Sequence, residues 1–479
     1  MRHEPSRRTV VKGAAGATAA GSLLPGTAKA RGTAAPAVTP LGTSLLDARA
    51  LYFVSYDGLV NNNAFQQHGL LTVGGYQYAV WYAADRQATV ARRATGSSDW
   101  SAVPLGHYLS ADDSHNVICA GHSPEDGRLH LVMDSHSSGY TYLSSVAGLL
   151  SSPGSHAWTR DKFGAPRDSL DGAVLTRQFT YPRFLTAPSG TLQLSYRDGV
   201  SGDGQAALAE YADGRWTALG AWSSATGTYP TDHGTSTRRS LYLHGLTYGP
   251  DGTLHVFGTW REQNQAVTCG ANLTNHDTVY VRSTDEGRTW TNADGTRVAT
   301  TGSGTDLVAI GSPGLVADPL GPDHALMNQE SQAVDSQGLP HALISYVPGR
   351  FGQCVTDYVA GRTAHGYPFH LRRDAAGAWH KTEIPVPLRS SQRGQLVLDA
   401  HDNAYAVLPY GRIAAASAAS GWSDWTLLYD GTDELNAFGE VVVDAPRVRA
   451  EGVLSVMYQE RSTGTTPSPL RVADFALPA

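Results

Sequence analysis

Apolar and polar residues alternate in short runs along most of the 479-residue chain, and most runs are led by glycine or another turn former. Neighbouring side chains on a strand face opposite ways, so this alternation predicts half-buried β-strands. The pattern recurs at 75–81, 127–132, 190–195, 252–257, 338–343, 403–408 and 452–457, seven copies spaced 49 to 86 residues apart. One short unit repeated along a whole chain marks an architecture in which each unit buries its face against the next. Between copies comes a turn followed by Trp: Ser98-Asp99-Trp100, Asp213-Gly214-Arg215-Trp216, the stretch from Asp374 to Trp379, and Trp422 with Trp425. The sharpest case, Ser283-Thr284-Asp285-Glu286-Gly287-Arg288-Thr289-Trp290, fits S-x-D-x-G-x-x-W. There Ser and Asp bond the turn backbone, Gly takes positive φ and Trp packs between sheets, a structural role. No segment has the period of an amphipathic helix of useful length. Seven four-stranded units of roughly 60 residues each predict an all-β fold, a seven-bladed β-propeller over residues 45–479. The first copy comes early and the last near the end, so the first and last blades are expected to close by exchanging a strand. The alternatives are a pair of β-sandwiches, which leaves seven copies unexplained, and a two-domain β protein whose propeller has fewer blades.

Composition narrows the class. A hydrophobic content of 41% is ample for a core. Beyond the N-terminus no run of eighteen uncharged apolar residues appears, which argues against a membrane-spanning helix. Gly has no period of three, heptads are absent and there are three Cys, which excludes collagen, coiled coil and disulfide scaffold. Ser6-Arg7-Arg8-Thr9-Val10-Val11-Lys12, a weakly apolar Ala/Gly run and Ala28-Lys29-Ala30 read as a twin-arginine signal peptide over 1–30, with a flexible linker at 31–44. The protein is therefore expected to be secreted, and to act as a monomer. Removing residues 1–30 takes away five basic side chains and Glu4, so the formal charge falls from −7 to −11. Such a chain is a poor partner for nucleic acid or an anionic membrane. An anionic substrate must meet a local Arg/His cluster.

Two segments carry such a cluster. One runs from Asp112-Asp113-Ser114-His115-Asn116 to Asp134-Ser135-His136; the other from Tyr181-Pro182-Arg183 to Tyr196-Arg197-Asp198. A lone histidine is most often a satisfied surface or strand-end group. Here each segment has one polar residue before an apolar strand and another after the next, and an antiparallel hairpin brings such positions to the same end. His115 and His136 should converge, as should Tyr181 and Arg197. Two imidazoles, a phenol and a guanidinium suit β-elimination from a uronic acid. That reaction needs a cation on the carboxylate, a base for the C5 proton and an acid for the departing O4. A glycoside hydrolase would need two opposed carboxylates, and Asp112 and Asp113, adjacent on a strand, would point opposite ways.

The stretches D-S-H-N-V-I, G-R-L-H-L-V-M-D-S-H, Y-P-R-F, L-S-Y-R-D-G-V-S-G-D-G, T-W-R-E and N-Q-E-S-Q-A-V-D-S-Q-G-L-P-H resemble the BNR-repeat polysaccharide lyases. These are seven-bladed propellers that include ulvan lyases and the rhamnose–glucuronate lyases acting on arabinogalactan and gum arabic. The resemblance runs from about residue 50 onward, and the His-to-His spacing of 21 and Tyr-to-Arg spacing of 16 agree with it. It implies a secreted lyase for an acidic polysaccharide, cleaving rhamnose-α-1,4-glucuronate linkages. His115 and Tyr181 would be the acid/base residues, and Arg197 and His136 the pair that neutralises the carboxylate. Tyr242, His244, Arg261 and Asn116 would bind substrate, although Ser240-Leu241-Tyr242-Leu243-His244 departs from the family's A-Y-P-N context. Readings of other classes are a sialidase-like or rhamnosidase-like hydrolase and a non-catalytic propeller that binds uronate glycans. No organic cofactor is expected. His341, Cys354 and His370 offer N/S ligands for a metal, and the resemblance implies a structural Zn²⁺ or Ca²⁺. A Cys269–Cys354 disulfide, permitted outside the cell, and buried thiols are the alternatives.

Overall fold

The computed structural model describes residues 34–56, 58–64, 68–270 and 273–478. The segment read as a signal peptide, 1–30, and the start of the linker, 31–33, lie outside the described residues. The rest is all-β, with two short α-helices among the described residues, Tyr358–His365 and Ala445–Glu451.

Each of the seven repeats forms the second strand of an antiparallel run: Tyr76–Tyr82, Leu129–Met133, Leu192–Val200, Leu254–Glu262, Pro340–Tyr346, Ala404–Leu408 and Val453–Gln459. The tight turn into each strand requires positive φ. Glycine supplies it in six copies, and Asp402 (φ 60) in the sixth. Preceding each is the strand it pairs with: Leu70–Val73, Ile118–His122, Phe179–Thr186, Thr235–Tyr248, Ser331–Val334, Gln395–Leu398 and Val442–Val443. Leu70, Ala120, Phe184, Leu246, Ser331, Leu396 and Val442, one from each of these strands, line a single cavity of about 610 Å³. Four of the sheets hold four strands and one holds three. The largest holds twelve and consists of two antiparallel runs joined through one parallel pair, Gly204↔Ser240.

The N-terminal boundary differs from the linker expected at 31–44. Strand Thr39–Ala50 pairs with Ser468–Ala476 and supplies the outer strand of the last sheet. Its Pro, Gly, Thr and Ser residues give it the composition of a linker, yet Ser44 and Leu46 are buried. Ser44 Oγ accepts from Arg93 Nη1 at 2.9 Å, and the Asn403 amide donates to the Ala34 carbonyl at 3.0 Å. The motif at 283–290 folds as its pattern predicts. Ser283 Oγ donates to Asp285 Oδ1 at 2.7 Å, and Asp285 accepts from the amides of Arg288 and Thr289. Trp290 is fully buried and stacks on Trp222 with centroids 4.4 Å apart.

Cys269 and Cys354 are joined in a disulfide with Cα atoms 6.0 Å apart. It ties the segment after Leu254–Glu262 to the segment before helix Tyr358–His365, beside an apolar cluster of Ala325, Met327, Val347, Val355 and Tyr358. Closing a loop of 85 residues restricts the unfolded chain, a constraint worth about 2–4 kcal/mol. The double variant Cys269→Ser/Cys354→Ser is therefore expected to unfold at lower temperature and lower denaturant than the parent. Equal midpoints in a denaturant titration would show the bond to be energetically idle.

Candidate active site

Residues 111–116 leave strand Ser101–Tyr108 as a turn, with Asp113 N bonded to Ala111 O and Asn116 N to Asp113 O. The turn carries His115. His136 begins strand His136–Ser138, which pairs with Phe179–Thr186. The two imidazoles stack at 4.1 Å with an interplanar angle of 12°. Tyr181 sits where the pairing of Phe179–Thr186 with Leu192–Val200 shifts register, between Thr180 and Arg183, and has φ 59. This left-handed, bulged position turns the ring out of the pleat. Arg197 lies opposite Thr180 on the neighbouring strand, and its Cζ lies 4.8 Å from the centre of the Tyr181 ring. The expected convergence of the two hairpins is thus observed.

His115, His136, Tyr181, Tyr242 and Arg261 line one cleft of about 250 Å³. Arg197 lies behind it, almost fully buried, and its terminal nitrogens donate to Tyr242 Oη (2.9 Å), Ser137 Oγ (2.9 Å) and Thr180 Oγ1 (3.0 Å). Tyr242 in turn donates to Ser201 Oγ at 3.0 Å, and the Tyr181 and Tyr242 rings are 5.6 Å apart. Arg261 lies 5.7 Å from the Tyr242 ring.

The electrostatics separate the two phenols. Burial pushes Tyr181 well above the ordinary tyrosine value, and Tyr242 adds to that; Arg197, Arg261 and Arg393 pull the other way and lose. Burial raises Tyr242 too, but Arg197 and Arg261, helped by Ser201 and Tyr181, outweigh it and hold this phenol below its ordinary value. Burial pulls His115 down to about 4 against the raising effect of Asp113. Burial also acts to raise Asp113, but the hydrogen bonds from His115 and His136 prevail and keep its carboxyl far below the usual carboxylate range.

Tyr56, Arg393, Asn328 and Tyr358 stand outside the expected site residues, and Asp113, weighed there only as half of a carboxylate pair with Asp112, joins them. Asp113 accepts from His115 Nδ1 (3.0 Å), His136 Nδ1 (2.6 Å) and Tyr56 Oη (2.8 Å). Arg393 and Asn328 wall the cleft from distant loops and Tyr358 from the start of helix Tyr358–His365, Arg393 being held by Glu440 (2.8 Å) and Asn328 (3.0 Å). Leu273, Met327 and Tyr358 of this wall belong to the apolar cluster beside the disulfide.

Two residues expected to bind substrate do not line the cleft. His244 lines the larger central cavity, where burial pulls it down to about 3 and its Nδ1 accepts from Glu330 N at 2.9 Å. It is the bulged residue of its strand, since the pairing jumps from Leu243↔Gly258 to Gly245↔Phe257. Asn116 is buried and is not among the cleft residues. The metal set His341, Cys354 and His370 is corrected outright. The Cys354 sulfur is bonded to Cys269, while the buried His341 Nδ1 and His370 Nε2 bond each other at 2.8 Å. A structural zinc in this set needs the Cys354 thiolate, which the disulfide removes, and an N/S set does not suit Ca²⁺. Among the described residues Asp113, His115 and His136 have donor atoms within 4.8 Å of one another, but the carboxylate oxygens and both Nδ1 atoms already bond each other.

Repeated antiparallel runs around a central cavity, with reactive side chains converging on a separate cleft, define a repeat-built all-β protein. The chain belongs to the BNR repeat-containing family, whose model matches residues 76–386. No curated protein sequence matches it significantly. Its fold is similar to that of the polysaccharide lyase Uly1, with a TM-score of 0.67 and 17% identity over 91% of this chain and 99% of that one. It is also similar to the PL25 ulvan lyase bound to -[GlcA(1-4)Rha3S]-, with a TM-score of 0.62 and 13% identity over 89% and 95% of the two chains.

Proposed function

We propose that this protein is a secreted polysaccharide lyase that cleaves rhamnose-α-1,4-glucuronate linkages by β-elimination, built on a seven-bladed β-propeller. The blade count is supported by the seven repeats, by seven strands lining one cavity, and by the single parallel pair that divides the twelve-stranded sheet into two runs. Export is supported by the twin-arginine pattern at 1–30. The bond is supported by the glucuronate and rhamnose units held by the PL25 ulvan lyase.

The observation that carries the reaction is the content of the cleft. Four phenols, those of Tyr56, Tyr181, Tyr242 and Tyr358, and two stacked imidazoles face it with Arg261 and Arg393, and Arg197 stands behind. Its carboxylate, Asp113, is engaged by both imidazoles. Among the described residues, hydrolysis by opposed carboxylates has no second partner in this cleft. In a glucuronate the C5 hydrogen and C4 oxygen share a ring face, so one phenol, Tyr181, serves both. With Tyr242 ionised to the phenolate that Arg197 and Arg261 favour, Tyr181 passes its own proton to the Tyr242 oxygen as the proton from the breaking C5–H bond arrives on the Tyr181 oxygen. The C5 electron pair forms the C4–C5 double bond and expels O4. The proton then returns through Tyr181 to O4, leaving a 4,5-unsaturated uronate and a free rhamnose hydroxyl. In an iduronate the two groups lie on opposite faces, and His115, neutral near pH 7, takes the proton. Arg261 and His136 face the carboxylate, with Arg197 adding charge from behind the phenols.

One assay tests this. With ulvan, gum arabic, glucuronan and alginate as substrates, the expected product is an unsaturated uronate absorbing in the near ultraviolet. New reducing ends without that absorbance would mean hydrolysis, and binding without either would mean a lectin.

A further inference from the structure

We infer that Asp113 is a positioning residue that holds both stacked imidazoles protonated at Nδ1, so that His115 turns a bare Nε2 to the cleft as a proton acceptor while His136 is left only its Nε2 side to meet the substrate. An ionised carboxylate has no hydrogen to give, and each oxygen of Asp113 meets an imidazole: Oδ1 with His115 Nδ1 at 3.0 Å, Oδ2 with His136 Nδ1 at 2.6 Å. Both Nδ1 atoms must therefore carry hydrogen. In His115, which burial keeps neutral near pH 7, that leaves Nε2 without one, and the nitrogen exposed to a reactant is set by the bond the other makes.

The arrangement is over-determined. Oδ1 also accepts the His115 backbone amide at 2.9 Å, fixing the carboxylate to the turn that carries His115. Oδ2 also accepts from Tyr56 Oη at 2.8 Å, and the Tyr56 ring meets His115 edge-on at 4.4 Å and His136 at 5.7 Å. Ser114 Oγ lies 2.6 Å from Ser55 Oγ, tying the turn to the segment that carries Tyr56. The rings are partly accessible, with side chains 11% and 18% exposed, so the lock sits at the cleft wall and not in the core. That the lock governs proton transfer rests on the proposed elimination; that it sets the tautomers does not.

¹⁵N-histidine NMR of the intact protein near neutral pH tests the tautomers without substrate. His115 and His136, assigned by single His→Gln variants, should both show protonated Nδ1, with Nε2 bare on His115. In Asp113→Asn the amide keeps one acceptor and gains an N–H₂ donor, so one imidazole must move its proton to Nε2. The kcat of that variant should fall on the order of 10²-fold with KM changed less than about threefold. Tyr56→Phe, which keeps the carboxylate, should retain both tautomers. A wild-type spectrum with Nε2 protonated and Nδ1 bare on either ring would overturn the inference even if Asp113→Asn did not fold. So would an Asp113→Asn enzyme with wild-type kcat. Expected tautomers in a protein that forms no unsaturated product from any uronate would support the lock and defeat the lyase reading.

Discussion

Tyr181→Phe is expected to lower kcat by about 10²–10⁴-fold, the range usual for a lost acid–base group, with KM nearly unchanged. The substitution removes one oxygen and leaves the ring. The contact with Arg197 at 4.8 Å and the tilted packing against His115 and Tyr242 depend on that ring, so the cleft should keep its shape. Stability should hardly move, because the costly part of the position is the backbone. A non-glycine residue at φ 59 inside a strand costs about 1–3 kcal/mol and persists where the fold needs a side chain aimed off the pleat. Phe inherits that cost unchanged. Because burial holds the Tyr181 proton on its oxygen, the phenol is ready to protonate a leaving O4. It becomes a base only when its own proton has somewhere to go. Steady-state kinetics on glucuronate substrate with circular dichroism as the folding control check this. Retention of more than about a tenth of wild-type kcat would remove Tyr181 from the chemistry.

The fold was legible because its units obey one local rule. A positive-φ turn leads into a period-2 apolar strand, and all seven repeats became second strands. The pairing of His115 with His136 and of Tyr181 with Arg197 was legible because hairpin geometry returns the chain to the same end. Asp113 was missed because strand alternation was applied to a turn. There Asp112 turns to Arg86 while Asp113 turns to the histidines. Tyr56 precedes the first repeat, where no period guides the eye. His244 was misplaced by a bulge, which sends it to the central cavity while Tyr242, two residues earlier, reaches the cleft. Sequence spacing left Cys354 open to a metal or to Cys269, and three-dimensional proximity decided it. The cleft wall formed by Asn328, Tyr358 and Arg393 comes from two loops and a helix start far along the chain, which no local pattern announces.

Arg197→Ala is expected to damage both kcat and KM, with kcat falling on the order of 10³-fold, the upper end for loss of one preorganised charged donor. The guanidinium is the tie between the two hairpins and the two phenols. One terminal nitrogen holds Tyr242, the other holds Ser137 and Thr180, and its plane lies against Tyr181. Truncation leaves buried hydroxyls without their donor and removes the cation that most lowers the Tyr242 phenol. Ground-state binding suffers because positive charge near the substrate carboxylate is lost; the transition state suffers more, because Tyr242 no longer accommodates the relayed proton. Arg197→Lys separates charge from geometry, since an ammonium keeps the cation but cannot span both sets of oxygens as a fork does. A difference-ultraviolet titration of tyrosinate gives a readout independent of substrate. In the wild type one tyrosine should ionise below the ordinary range; in Arg197→Ala that early step should move upward, and in Arg197→Lys it should return part of the way. If the early step persisted in Arg197→Ala, or if kcat stayed within about tenfold of wild type, the relay through Tyr242 would be untenable.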